Sequence, residues 1–379
     1  MLKLHRFLLH LLIFLNFKNT MESIMDTNKK EKETQLFIKN IGDKKKSINS
    51  PAENYLPPES RNIQIKNTEE VINKKFIKNV SEIYESGHFV SLSNKCLNHG
   101  TKLKLLITIL SDPWHYLARK AIRETWGIFG KRKDVIILFF LGATSDPYLE
   151  IKLAHEEKIF DDIIRCNIYD SYTNLTLKTI SILEWVDKYC FNANYVLKTD
   201  DDVFLNMPRL LTFVRVRLKV NNVIFGKISP NKKPHRDKEN KYYVPIIQYK
   251  FSEYPPFVTG PAYLISGNSI HRLHKESLNT IFLKLEDVFL TGIVAEKLGI
   301  KRIDRQEFVN NRISFSVCQL QRSISLHSIK PSEQYDLWER LFECNPNCPY
   351  FCIHKSSKAI LMKNNFILLT IAFCTAWLI

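Results

Sequence analysis

From about residue 102 onward, short apolar runs alternate with amphipathic stretches. Residues 104–110 (KLLITIL) form a β-rich run that ends at Ser111-Asp112-Pro113, which reads as a strand followed by a turn. Residues 114–126 carry helical spacing, and residues 135–142 (VIILFFLG) read as a second buried strand stopped by glycine. A polar, helix-like stretch at 147–159 leads to a third run at 162–168. The clearest helix spans 174–189, with Leu175, Thr179, Leu183 and Val186 along one face and Asn174 near its start. A fourth apolar strand, 195–198, runs straight into Thr199-Asp200-Asp201-Asp202.

Strands that are short and apolar throughout, alternating with helices, predict an α/β fold. Its sheet is mainly parallel and covered by helices on both faces. Ligands of such sheets lie beyond the carboxyl ends of the strands. The three aspartates fall at such an end, which marks them as a site.

The flanks have a different texture. Residues 20–100 are rich in Lys, Glu, Asn and Ser, with Pro51, Pro57 and Pro58 among them, as expected of a disordered stem. An apolar run at 7–17 follows Lys3, His5 and Arg6. It is shorter than the roughly 20 residues of a spanning helix, and it reads as a signal anchor, with a signal peptide as the alternative. A second apolar run, 366–379, fits a short tail anchor, a lipid-anchor signal or a packed terminal element. The expected division is therefore an N-terminal tail and anchor (1–20), a stem (21–100), a catalytic domain (101–343) and a cysteine-containing tail (344–379).

Composition narrows the function. Hydrophobic residues make up 45% of the 379 and aromatics 12%, enough for a sizeable core. The net charge of +16 would suit nucleic acid, an anionic membrane or an anionic substrate. Much of the lysine lies in the stem, however, and there is no basic platform interleaved with aromatics, so nucleic acid is set aside. Eight cysteines and two sequons, at Asn79 and Asn174, join the apolar N-terminus in favouring a secretory compartment. The expected location is a Golgi membrane, single-pass, with a lumenal catalytic domain, a glycan at each sequon and contact with the membrane through the N-terminus.

Asp200-Asp201-Asp202 carries the chemistry. Alternation along an extended chain points Asp200 and Asp202 to one side, where a Mn²⁺ or Mg²⁺ ion would relieve their repulsion. The competing reading is a solvated acidic cap, which is the rule for an arbitrary acidic triplet but not for one that follows a buried strand. Arg119 and Arg123 lie one helical turn apart and either meet a donor diphosphate or pair with acidic neighbours. Trp126 reads as core.

Six ordered motifs then resemble the β-1,3-galactosyltransferase family, which also contains β-1,3-N-acetylglucosaminyltransferases and has the GT-A fold. They run from Arg119, Ile122, Arg123, Thr125, Trp126 and Gly127 (RxxIRxTWG) to Phe140-Leu141-Gly142. The Asp170 to Thr179 block (DSYTNLTLKT), Lys198 to Asn206 (KTDDDVFLN), Tyr254 to Ser266 and Glu286-Asp287-Val288 follow. The resemblance covers about residues 102–343. It implies a GT-A-type Rossmann-like mixed sheet and an inverting β-1,3-hexosyltransferase. The donor would be UDP-galactose or, as the less favoured option, UDP-N-acetylglucosamine, and the acceptor an oligosaccharide on a glycoprotein or glycolipid.

The same resemblance implies individual roles. Asp202 would bind the metal, Asp200 would lie near the metal or the ribose, and Asp201 beside the sugar. Asp287 would be the general base and His327 would complete the metal shell. Without the family, a lone histidine near a strand end more often has a structural role. Arg119, Arg123, Lys178, Gly260 and Tyr263 are the donor-binding set, although for Lys178 a structural salt bridge is at least as good a reading, and Gly260 also suits a tight turn under the site. Residues 232–243, polar and charged, are expected to form a flexible lid on the acceptor side.

The chain departs from the family at Val258, where many members have cysteine, and at Pro261-Ala262, where many have Gly-Gly. The first leaves Cys318 unpaired or paired elsewhere. Cys344, Cys348 and Cys352, with His354 nearby, read as disulfides or lipid-modified thiols more readily than as a zinc site. Two other functions compete. An aspartyl-nucleophile phosphohydrolase also starts from a strand followed by Asp-x-Asp, but normally on its first strand. A non-catalytic glycan-binding relative would have lost Asp202 or Asp287, and both are present.

Overall fold

The computed structural model describes residues 78–218, 220–312 and 316–343. Both apolar ends and the tail cysteines lie outside the described residues, and among those described no helix is long and apolar enough to cross a membrane.

In chain order the strands are β1 (His88–Val90), β2 (Leu105–Leu110), β3 (Val135–Ala143), β4 (Ile163–Tyr169), β5 (Tyr195–Asp200), β6 (Phe204–Leu205), β7 (Val223–Ser229), β8 (Phe257–Ser266), β9 (Lys301–Asp304), β10 (Phe308–Val309) and β11 (Ser325–Leu326). The helices that matter here are α1 (Tyr116–Glu124), α2 (Pro147–Phe160), α3 (Leu175–Tyr189), α4 (Met207–Arg215), α5 (Ile270–Leu278), α6 (Ala295–Lys297), α7 (Val317–Arg322) and α8 (Pro331–Leu341). A π-helical stretch, Val288–Val294, precedes α6.

Eight strands form the main sheet in the order β1-β4-β3-β2-β5-β8-β7-β9. The four strands legible in the sequence (β2, β3, β4, β5) run parallel to one another, β8 is antiparallel to both β5 and β7, and β9 runs parallel to β7. Successive residues of β2 feed opposite cores. Leu106 and Leu110 pack on the side of α3 and α5, whereas Leu105, Ile107 and Ile109 pack on the side of α1, α2 and α8. Burial on both faces is why these strands read as continuous apolar runs rather than as alternation.

A second sheet of three short strands, β10-β11-β6, follows the aspartates. β11 runs antiparallel to β6, with Leu326 opposite Phe204, and the Ile329 N–H donates to the Asp202 carbonyl at 2.8 Å. This pairing carries His327 to the aspartate end of β5, a contact distant in sequence.

The folded part begins before residue 101, so the expected stem is too long. Val80 is fully buried, β1 pairs with β4, and Cys96 is disulfide-bonded to Cys190 beyond the end of α3. The Lys-, Asn- and Ser-rich composition hid this because the segment contributes isolated anchors rather than a periodic apolar face. Val258 is buried in the core with its backbone bonded to the Thr291 hydroxyl, and Cys318 is disulfide-bonded, so it is paired elsewhere than at position 258.

Candidate active site

The site lies at the carboxyl end of β5. Asp200 is the last residue of that strand, and its carboxylate accepts from the Lys198 ammonium at 2.8 Å. Lys198 also donates to the Gly260 carbonyl at 2.9 Å and lies 3.4 Å from Glu286. Burial alone would lower the Lys198 pKa, but the Asp200 and Glu286 charges more than offset it and hold the ammonium protonated. Burial pushes the Asp200 and Glu286 carboxyls up, with Lys198 opposing it in both.

Asp287 sits at the start of the π-helical stretch. One carboxylate oxygen accepts from its own Val288 N–H at 2.9 Å and the other from the Gly260 N–H at 3.0 Å. Burial raises its pKa above the ordinary carboxylate value, and those two N–H groups oppose the rise. Gly260 is thus the joint of the site, with its carbonyl on Lys198 and its N–H on Asp287. A Cβ there would stand 3.5 Å from an Asp287 oxygen and 3.6 Å from a Glu286 oxygen, in ordinary contact with both carboxylates.

Asp202 faces His327, whose Nε2 lies 3.3 Å from the carboxylate, while its Nδ1 pairs with the Asn310 carbonyl at 3.0 Å. The carbonyl fixes the proton on Nδ1, so Nε2 either carries a second proton toward Asp202 or offers a lone pair to a cation. Burial alone would lower the His327 pKa, but Asp202 outweighs it and the net shift is upward.

Among the described residues, no three His, Cys, Asp or Glu groups converge in a way that could hold a metal. The expected trio therefore separates, with Asp202 and His327 adjacent and Asp200 turned to Lys198. Two protein ligands with substrate phosphates and water is a common arrangement for a hard divalent ion, and the Asp202–His327 pair fits it.

Asp201 points elsewhere. It is buried, and one oxygen accepts from Ser111 Oγ at 2.7 Å and pairs with His115 Nδ1 at 3.0 Å. Arg119 lies below this grip. Its guanidinium donates to Glu156 twice, to Ser111 Oγ and to the Asp112 and Pro113 carbonyls, so all five N–H groups are used. Arg123 holds Asp162 and Glu156. Lys178 is buried between the Ser111 carbonyl and Asp170. Tyr263 is fully buried with its hydroxyl on Glu286. For these four residues the structure shows pinning of the surrounding loops and strands. Arg119, Arg123 and Lys178 neutralise carboxylates and cap loop carbonyls, and Tyr263 donates to one.

At the sequons, Asn79 is exposed, whereas Asn174 is half-buried and donates to the Tyr169 carbonyl at 2.9 Å. The sequence reading missed Lys198, Glu286 and His115. The first two were visible as the leading residues of the KTDDD and EDV motifs, whereas nothing local distinguishes His115.

A paired carboxylate–imidazole at one end and a half-buried carboxylate held by two N–H groups at the other therefore lie on the carboxyl side of an α/β sheet. A family model described as galactosyltransferase matches residues 117–306. The beta-1,3-galactosyltransferase 1 of Mus musculus is 38% identical over 248 residues, covering 65% of this chain and 75% of that protein. The UDP-GlcNAc:betaGal beta-1,3-N-acetylglucosaminyltransferase 7 of Rattus norvegicus is 33% identical over 273 residues, 66% of this chain and 68% of that one. Among solved structures, the galactosyltransferase LgtC overlaps at 11% identity over 64% of this chain and 98% of its own, with a TM-score of only 0.32. The chain belongs to the galactosyltransferase family and is a UDP-sugar-dependent glycosyltransferase.

Proposed function

We propose that the protein is an inverting β-1,3-hexosyltransferase that moves galactose from UDP-galactose to a hydroxyl of a glycan acceptor, in the Golgi lumen and anchored by its N-terminus. The observation that carries this reading is the pairing of a half-buried carboxylate at Asp287 with the Asp202–His327 half-site, the two joined through Gly260, Lys198 and the end of β5. The likeness to beta-1,3-galactosyltransferase 1 supports galactose as the donor sugar.

Inversion is a single displacement. The acceptor oxygen attacks the anomeric carbon from the face opposite UDP, the C1–O bond to the diphosphate breaks, and UDP leaves with the electron pair. Asp287 takes the acceptor proton, and its raised pKa makes it a stronger base than an exposed aspartate. Val288 and Gly260 N–H groups fix the direction of that carboxylate. Lys198 keeps Asp200 and Glu286 from repelling it. A Mn²⁺ or Mg²⁺ ion on Asp202 and His327 would supply charge neutralisation for the departing diphosphate.

The test is UDP release from a panel of UDP-sugars with acceptor, in Mn²⁺ or in EDTA. Mn²⁺-dependent release from UDP-galactose supports the reading. Phosphate release from small phosphoesters, with every UDP-sugar left intact, would replace it with the phosphohydrolase.

A further inference from the structure

Two exposed aromatic rings are carried by segments that meet beside Asp287. Tyr172 lies in the single turn Tyr172–Asn174 between β4 and α3 and is 48% exposed. The start of α3 is fastened to the stretch that leads into Asp287, because Thr176 Oγ1 donates to the Leu283 carbonyl at 2.7 Å. Tyr242, 42% exposed, comes from the loop between β7 and β8. That loop reaches the same stretch from the other side, with Gln248 Nε2 donating to the neighbouring Phe282 carbonyl at 3.3 Å.

The loop is also tied down internally. Arg236 donates to the Val244, Tyr249 and Phe251 carbonyls, and the Tyr242 N–H to Asn240 Oδ1 at 2.8 Å. The expected flexible lid is in this respect a fastened loop, with the Tyr242 backbone pinned and the Lys241 ammonium 4.7 Å from its ring centroid. The neighbourhood is electrostatically connected: partial burial first, then Tyr242, Asp287 and Asp200, raise the Tyr172 pKa to about 12.

Neither ring contributes to the two cores. A half-exposed tyrosine offers an apolar face with a polar tip, which suits a ligand having the same two-sided character. A hexopyranose ring has one face rich in C–H groups and a rim of hydroxyls. Its C–H groups, slightly positive, are attracted to the negative face of an aromatic ring.

We propose that Tyr172 and Tyr242 form the aromatic walls of the acceptor site, stacking on the C–H face of a terminal hexopyranoside and turning one of its hydroxyls toward Asp287. This rests on the transferase reading above and adds the acceptor class and the residues that select it.

The experiment uses the full chain, UDP-galactose, and methyl β-N-acetylglucosaminide and methyl β-galactoside as acceptor probes. Tyr172→Ala and Tyr242→Ala should each raise the acceptor KM roughly three- to ten-fold. The kcat should change less than the KM, the melting temperature should hold, and UDP affinity should persist. Tyr172→Phe should restore the KM, because the ring and not the hydroxyl is required, whereas Tyr172→Leu, which keeps apolar area without a π-face, should not. An unchanged acceptor KM in both alanine variants overturns the proposal, as does a phenylalanine variant that behaves like alanine. Galactose transfer by the wild type together with an unchanged acceptor KM in both alanine variants sinks only the aromatic walls. A wild-type enzyme with no Mn²⁺-dependent transfer to either probe overturns the transferase reading and this proposal together.

Discussion

Two charge networks occupy the carboxyl side of the sheet, and they are built on opposite principles. In the first, Arg119 and Arg123 face Glu156 and Asp162, two cations against two anions, and all five Arg119 donors are used. In the second, Asp200, Glu286 and Asp287 lie about one permanent cation, Lys198, with Asp202 and His327 at the margin. A balanced network has its charges answered by one another. An unbalanced one keeps anionic capacity in reserve for a cation and a proton. The first therefore reads as architecture and the second as chemistry, although both contain the residues that the family motifs mark.

The contrast can be broken by experiment. The largest effect should come from Asp287→Asn, with transfer falling on the order of 10²–10⁴-fold, the usual worth of a general base, while UDP still binds. Near-normal turnover would remove Asp287 from the chemistry. Glu156→Gln leaves Arg119 buried without its counter-charge and should cost about 3–5 kcal/mol of stability in denaturant unfolding. A loss of activity without a loss of stability would place that network in the site after all.

His327→Ala should weaken Mn²⁺-dependent UDP binding on the order of 10–100-fold by calorimetry, and leave metal-free binding alone. If affinity with Mn²⁺ is untouched, the imidazole is only structural. Arg123→Lys keeps the charge but not the fork on Asp162, so it should cost about 1–2 kcal/mol, with the donor KM unchanged. A raised donor KM would return Arg123 to the diphosphate.

Acidification should separate the networks by order of loss. Asp287 acts deprotonated and its pKa is raised, so activity should fall as pH drops through a value above the ordinary aspartate value of about 3.9. Glu156 is the reverse case: burial would raise its pKa, but Arg119 and Arg123 hold it below the usual value. Its stabilising contribution is full above the unfolded glutamate value of about 4.3 and is lost only as pH falls through the depressed folded value. The kcat/KM profile should therefore fail at higher pH than the Glu156 contribution to melting temperature, and coincident losses would argue against two separate networks.

Part of this was legible along the chain. The four parallel strands were readable because each is buried on both faces and leaves an unbroken apolar run, and α3 because its apolar face repeats at helical spacing. The aspartates declared themselves by following such a strand directly. The π-helical stretch after Asp287 and the short strands β6, β10 and β11 were not legible, since two-residue strands carry no period. The early anchors Val80 and Cys96 were hidden for a similar reason, one buried residue at a time within a polar segment.

The sequence by itself determined the sheet, its carboxyl edge, and which carboxylates are available there, because periodicity and local order are properties of consecutive residues. Only the tertiary structure decided what each charged group is for. Arg119 and Asp287 look equally functional in their motifs, yet one spends every donor on its partners and the other keeps a raised-pKa carboxylate where the π-helical stretch meets β8. That distinction depends on burial and on partners remote in the chain, and so it exists only once the chain has folded.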